Sequence, residues 1–141
     1  MRVKSIRRTA FLFTVCVLIA QLTVFAYAKA SDYIVAYAAS TTANTSNRIT
    51  VSFNVTANGP MDKIGATTIY LYEKNGNTTT LVATFTEKTN TSMTSTNKTN
   101  YGSSVTYQGQ AGRIYHAVVH VYAGKDGKGD TRTKTTGSVA T

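Results

Sequence analysis

The chain has 141 residues, 15 Lys+Arg against 6 Asp+Glu, and a formal net charge of +9. That length supports one compact domain and leaves no room for a second sizeable core. With 42% hydrophobic and 15% charged residues, one Pro, one Cys and no Trp, the composition excludes a coiled coil, a highly charged disordered chain, a collagen-like repeat and a disulfide-stapled scaffold.

The first residues read as a targeting segment. Arg2, Lys4, Arg7 and Arg8 stand at the start with no acid among them, and residues 10–28 then run without a charge. Two small-x-small sites follow, Ala26-Tyr27-Ala28 and Ala28-Lys29-Ala30. A basic start, an apolar run and an A-x-A exit describe a secretory signal peptide over residues 1–28, with cleavage after Ala28 or Ala30. The expected destination is secreted, outside the cell. The alternative is a retained membrane anchor, since the uncharged run can just cross a bilayer, although Gln21 and Thr23 weaken it. Cys16 follows Val15 in mid-run, which does not fit a lipoprotein anchor. Cleavage after Ala28 removes four of the cations and takes the net charge from +9 to +5; cleavage after Ala30 also removes Lys29 and leaves +4. Cys16 leaves with the segment, so the mature domain, residues 29–141, has no thiol for a disulfide, a metal or a nucleophile.

The mature sequence reads as strands. Of the 26 threonines only three precede residue 29, and of the nine tyrosines only one does. β-Branched and aromatic residues suit a pleated, half-buried surface. Asn, Gly and Ser gather between the apolar runs, where turns are expected. The spacing predicts seven strands, over 32–39, 48–57, 64–74, 78–87, 103–108, 112–123 and 131–139. The clearest alternates Ile49, Val51, Phe53 and Val55 with Thr50, Ser52, Asn54 and Thr56. A loop is expected at Asn58–Asp62, around the only Pro. A hairpin turn is expected at Asn75-Gly76-Asn77, a long mobile connection over 88–102, and a Gly-rich turn over Gly124–Asp130. Seven short strands with turn signals between them predict a single antiparallel immunoglobulin-like β-sandwich.

The sixth predicted strand makes that expectation more specific. Its Gly112-x-x-Tyr115-x-Ala117-x-Val119-x-Val121 pattern resembles the corresponding strand of fibronectin type III and immunoglobulin-like domains. The resemblance implies that Tyr115 packs inside the sandwich and bonds back to the preceding loop. The Trp and Cys pair of antibody domains are lacking. The chain also looks like small exported proteins of Gram-positive bacteria, without assigned function, that carry an M-D-K-I-G-A-T segment; Met61 to Thr67 carry it here.

Signals of chemistry are sparse. His116 and His120 lie on one strand four residues apart, about 13 Å along it, too far to share one metal ion. Asp126-Gly127-Lys128-Gly129-Asp130 has Lys128 where a calcium loop needs a ligand, and no Glu follows. No phosphate loop is present, and the six acids are scattered at positions 32, 62, 73, 87, 126 and 130. The five N-x-[ST] sequences, at Asn44, Asn54, Asn77, Asn90 and Asn97, follow from the abundance of Asn and Thr. No catalytic activity, cofactor, metal or nucleic-acid partner is expected.

A surface pattern remains. If Ile69, Leu71, Tyr115, Ala117, Val119 and Val121 face inward, then Tyr70, Tyr72, His116, Val118, His120 and Tyr122 face out on neighbouring strands. Exposed aromatic patches often mark binding surfaces. The expected function is therefore a non-catalytic binding or adhesion module at the cell surface, with Tyr70, Tyr72, His116, His120 and Tyr122 as the ligand patch and a glycan as the ligand. A rival expectation is electrostatic attachment to an anionic envelope polymer through Lys125, Lys128, Arg132 and Lys134. A third is a structural protein that adds strands edge to edge.

Overall fold

Period-two alternation of apolar and polar residues gives a strand one dry face and one wet face. The run that begins at Arg48 does this: Ile49, Val51, Phe53 and Val55 are buried, and the threonines, serine and asparagine between them are not. The structure is a computed structural model that describes residues 31–141, so the predicted signal segment lies outside the described residues.

The strands are β1 (Ile34–Ala43), β2 (Arg48–Met61), β3 (Lys63–Asn75), β4 (Thr78–Thr86), β5 (Thr94–Ser95), β6 (Lys98–Gln108), β7 (Ile114–Lys125), β8 (Lys128–Thr135) and β9 (Val139–Ala140), with one short 3-10 turn at Thr91–Met93. All pair antiparallel. One sheet has the order β1-β2-β6. The other has the order β4-β3-β7-β8, with β5 added to β3 and β9 to β7. Inner residues of both sheets form one core: Ile49, Val51, Phe53 and Val55 from the first, and Ile64, Ile69, Leu71, Tyr115, Val119 and Val121 from the second. The seven long strands follow the predicted order, and two short ones bring the number among the described residues to nine. Among the described residues no helix is long and apolar enough to cross a membrane.

Three connections differ from expectation. The predicted Asn58–Asp62 loop is absent: β2 runs through Pro60 to Met61, and the chain passes to β3 at Asp62 alone. The β2–β6 register shifts between Thr56 and Met61. Pro60 sits in that irregular stretch, where a missing N–H costs the ladder little. The expected turn over Gly124–Asp130 shrinks to two residues, because Asp126 and Gly127 take φ of 52° and 74° and close the tight mirror-image turn that suits strand twist. The last predicted strand, 131–139, is divided into β8 and β9 at the buried Thr136. Its hydroxyl accepts the Ala117 N–H at 2.9 Å, and its own N–H donates to the Ala117 carbonyl at 2.9 Å.

The largest departure lies at 88–102, which holds the 3-10 turn, β5 and the start of β6 in place of a structureless connection. Met93 is fully buried in the core. β5 pairs with the start of β3, Asn97 N–H bonds the Met61 carbonyl at 2.7 Å, and the Tyr101 hydroxyl donates to the Ser92 carbonyl at 2.7 Å. Gly65 makes room for this: at φ +143°, a Cβ there would stand 2.2 Å from the Met93 carbonyl oxygen. The Met61–Thr67 segment noted in the sequence is thus the crossover between sheets and the seat of Met93.

Two polar residues fasten the frame. Tyr115 is fully buried; its hydroxyl accepts the Gln110 N–H at 2.9 Å and donates to Glu73 at 2.7 Å, while Arg113 approaches the other Glu73 oxygen at 3.5 Å. Burial, then the bond to Glu73, raises the Tyr115 phenol above its ordinary value. On β8, one Asp130 oxygen accepts the Ser31 hydroxyl at 2.7 Å, the Asp32 N–H at 2.7 Å and the Tyr33 N–H at 3.0 Å. The Ser31 and backbone bonds lower that carboxyl below its ordinary value. The signs follow. A raised folded-state Tyr115 contributes stability in full below its unfolded value, lost as pH climbs past about 10. A lowered Asp130 contributes above the ordinary carboxylate range and loses it as pH falls through that range. Thermal melts across pH are therefore expected to decline at both extremes. Tyr115→Phe should remove part of the alkaline decline and cost about 1–3 kcal/mol, since Gln110 N–H loses its partner. An unchanged alkaline limb in Tyr115→Phe would contradict this assignment.

Candidate functional site

β3 and β7 lie side by side in the centre of the second sheet, paired from Lys63 with Gly124 to Lys74 with Ile114. Because Ile69, Leu71, Ala117, Val119 and Val121 are in the core, alternation turns Tyr70, Tyr72, His116, Val118, His120 and Tyr122 to the outer face. All six are half-buried there.

Four of the rings form two pairs. Tyr72 lies opposite His116 in the ladder, and their rings stack 5.3 Å apart at 11°. Tyr70 meets His120 edge to face, 5.6 Å apart at 90°. Val118, opposite Tyr70, separates the histidines along β7. The Thr133 hydroxyl of β8 lies 3.0 Å from His120 Nδ1. Such ring pairs contribute about 0.5–1.5 kcal/mol each beyond area burial, so the rows also support the sheet.

Tyr122 shares the face and has separate partners. Its ring covers two glycines of the β7–β8 hairpin: a Cβ on Gly124 would stand 2.2 Å from its hydroxyl, and one on Gly129 2.3 Å. Lys63 Nζ lies 5.4 Å from the Tyr122 ring centroid and bonds Glu87 at 2.5 Å. Tyr122 is therefore a cover for bare backbone, which only glycines allow it to approach.

Two apolar residues absent from the predicted patch join its margin. Leu81, 47% exposed, pairs with Tyr72; Ile114, 39% exposed, lies one outward position before His116. Ile114 was legible, because the alternation that turns His116 outward turns Ile114 outward too. Leu81 was not, because a register shift between Leu71 and Tyr72 changes the phase of β4.

The register puts the four cations of the rival surface on one side of the sheet, the side opposite Thr133 and the ring pairs. Lys125 and Lys128 oppose each other beside the tight turn. Arg132 and Lys134 pair with the inward-facing Val121 and Val119, on the opposite side of β8 from Thr133. Among the described residues, no three His, Cys, Asp or Glu side chains group to hold a metal. No family model, curated protein or solved structure matches this chain.

Proposed function

We propose that the protein is a secreted, non-catalytic binding module whose outer aromatic face on β3 and β7 takes a carbohydrate. The observation that carries this reading is the ring pairing: Tyr72 with His116 and Tyr70 with His120 hold four half-exposed rings in adjacent rows, edged by Leu81 and Ile114. Flat aromatic faces suit the CH face of a sugar ring, and imidazole nitrogens suit its hydroxyls. The strand order β1-β2-β6 against β4-β3-β7-β8, with the Tyr115 hydroxyl bonded back to Gln110, supports a fibronectin type III-like or immunoglobulin-like sandwich as the scaffold. Export after removal of residues 1–28 belongs to the same reading and is supported by the sequence pattern alone. An origin among Gram-positive exported proteins rests on the Met61–Thr67 resemblance.

A glycan array probed with wild type and with a Tyr70→Ala, Tyr72→Ala double variant tests the reading. Retention by the variant is expected to weaken at least about tenfold, the equivalent of ~1.4 kcal/mol. Binding should change little with salt, since ring stacking is not screened. Binding that survives the double variant and collapses with salt would move the function to Lys125, Lys128, Arg132 and Lys134. A wild type that captures no glycan would remove the carbohydrate reading.

A further inference from the structure

The two sheets leave β1, β6, β4 and β8 as outer strands, and three of these carry features that discourage a further neighbour. β8 bears Lys128, Arg132 and Lys134, and charges guard an edge. β6 opens with Lys98, and its Tyr101 reaches the 3-10 turn beside it. β4 is interrupted by its register shift. β1 is different. From Ile34 to Ala43 it has no charge and no proline, and from Ala36 to Ala43 its register on β2 is unbroken.

The direction of the β1 backbone follows from the adjoining turn. Asn44 N–H bonds the Arg48 carbonyl at 3.1 Å, in line with the β1–β2 register. Hydrogen-bonded pairs alternate along an antiparallel ladder. Ala36, Ala38, Ser40 and Thr42 therefore turn their amides and carbonyls to β2, and Tyr37, Ala39, Thr41 and Ala43 turn theirs to the open side. Among the described residues, no turn, loop or side-chain hydrogen bond engages those four outward backbones. Tyr37 pairs with the buried Val55 and so faces the inner side, yet it is 37% exposed at this open margin. Val35, 66% exposed, stands beside it.

We propose that the open edge of β1 pairs antiparallel with β1 of a second copy, about a two-fold axis at Ser40. The strand is its own complement in this register. Tyr37 falls opposite Ala43 and Ala39 opposite Thr41, so a large ring meets a small residue and all four outward amides and carbonyls find partners. About eight hydrogen bonds would join two three-stranded sheets into one of six strands. No like charges meet, because β1 has none, although the domain is basic. The contact uses the sheet opposite the Tyr and His face and stands or falls apart from carbohydrate binding.

Sedimentation velocity on the native protein across a concentration series is the test, with Ala39→Pro, Ser40→Lys and Ser40→Cys variants. Ala39→Pro removes an outward N–H that β2 does not use, a place where edge strands accept proline. Ser40→Lys sets like charges opposite each other across the axis from an exposed position, and gives the same reading should Ala39→Pro not fold. Wild type is expected to dimerise with rising concentration, and both variants to remain monomeric. In a Cys16→Ser background, Ser40→Cys faces its counterpart at a Cα separation of about 4.5 Å, within disulfide reach. Under oxidised glutathione it should cross-link at least about tenfold faster than Ser104→Cys on exposed β6, through its high effective concentration. A wild type that stays monomeric, a dimer that both variants leave intact, or equal cross-linking at Ser104 overturns the proposal.

Discussion

Replacing Met93 with alanine is expected to cost about 2–5 kcal/mol, as for other methionines removed from a core. The residue is fully buried, and it is the one strong apolar anchor between Thr86 and Lys98. Its seat is rigid: Gly65 allows the Met93 backbone to approach, and β5 fixes Thr94 and Ser95 on β3. The cavity left behind has backbone on that side and can close only in part. A denaturant melt measures the loss. Limited proteolysis adds a local reading, since Lys88 and Lys98 flank the anchored segment and should become the first sites cut in the variant. A cost below about 1 kcal/mol would show that the segment is held by its backbone bonds alone.

Phe53→Ala should cost more, about 3–5 kcal/mol, enough to unfold a domain of ordinary stability. Phe53 is 4% exposed in the middle of β2, and its ring lies 6.5 Å from that of Tyr101 on the neighbouring strand. It stands between Val51 and Val55 on the dry face, so its loss opens the core where the sheets meet. The same melt measures it, with loss of cooperative unfolding as the expected result. A well-folded variant within about 1 kcal/mol of wild type would place the ring outside the core.

These two residues differ in how plainly the sequence announced them. Phe53 belongs to an uninterrupted alternation, and period two fixes its face without reference to any other part of the chain. Met93 sits in a run of Thr, Ser and Asn whose average polarity reads as a loop; only the shape of the Gly65 backbone, far away in sequence, gives it a pocket. The outer face divides the same way. Tyr70, Tyr72, His116 and His120 were legible because β3 and β7 are long and regular between their few irregularities. The destination of Tyr122 was not, because it depends on two glycines meeting across a turn. That Lys125, Lys128, Arg132 and Lys134 fall on one side of the sheet, away from the ring pairs, was likewise hidden until the β7–β8 register was known.

The three bonds that Asp130 accepts from Ser31, Asp32 and Tyr33 also bear on the order of assembly in time. They join points 97 to 99 residues apart, nearly the whole described chain. A hairpin such as β7–β8 can close as soon as its two strands exist, whereas this clasp waits for β8. Closing so long a loop is entropically costly until the intervening strands have shortened it. The beginning of β1 is therefore among the last parts of the domain to be secured, and an all-β chain with such distant pairings folds slowly for its size. Only this leading edge waits, because β1 and β2 are a hairpin closed by the turn at Asn44–Asn47 and can pair long before β8 arrives to pin residues 31–33 in place.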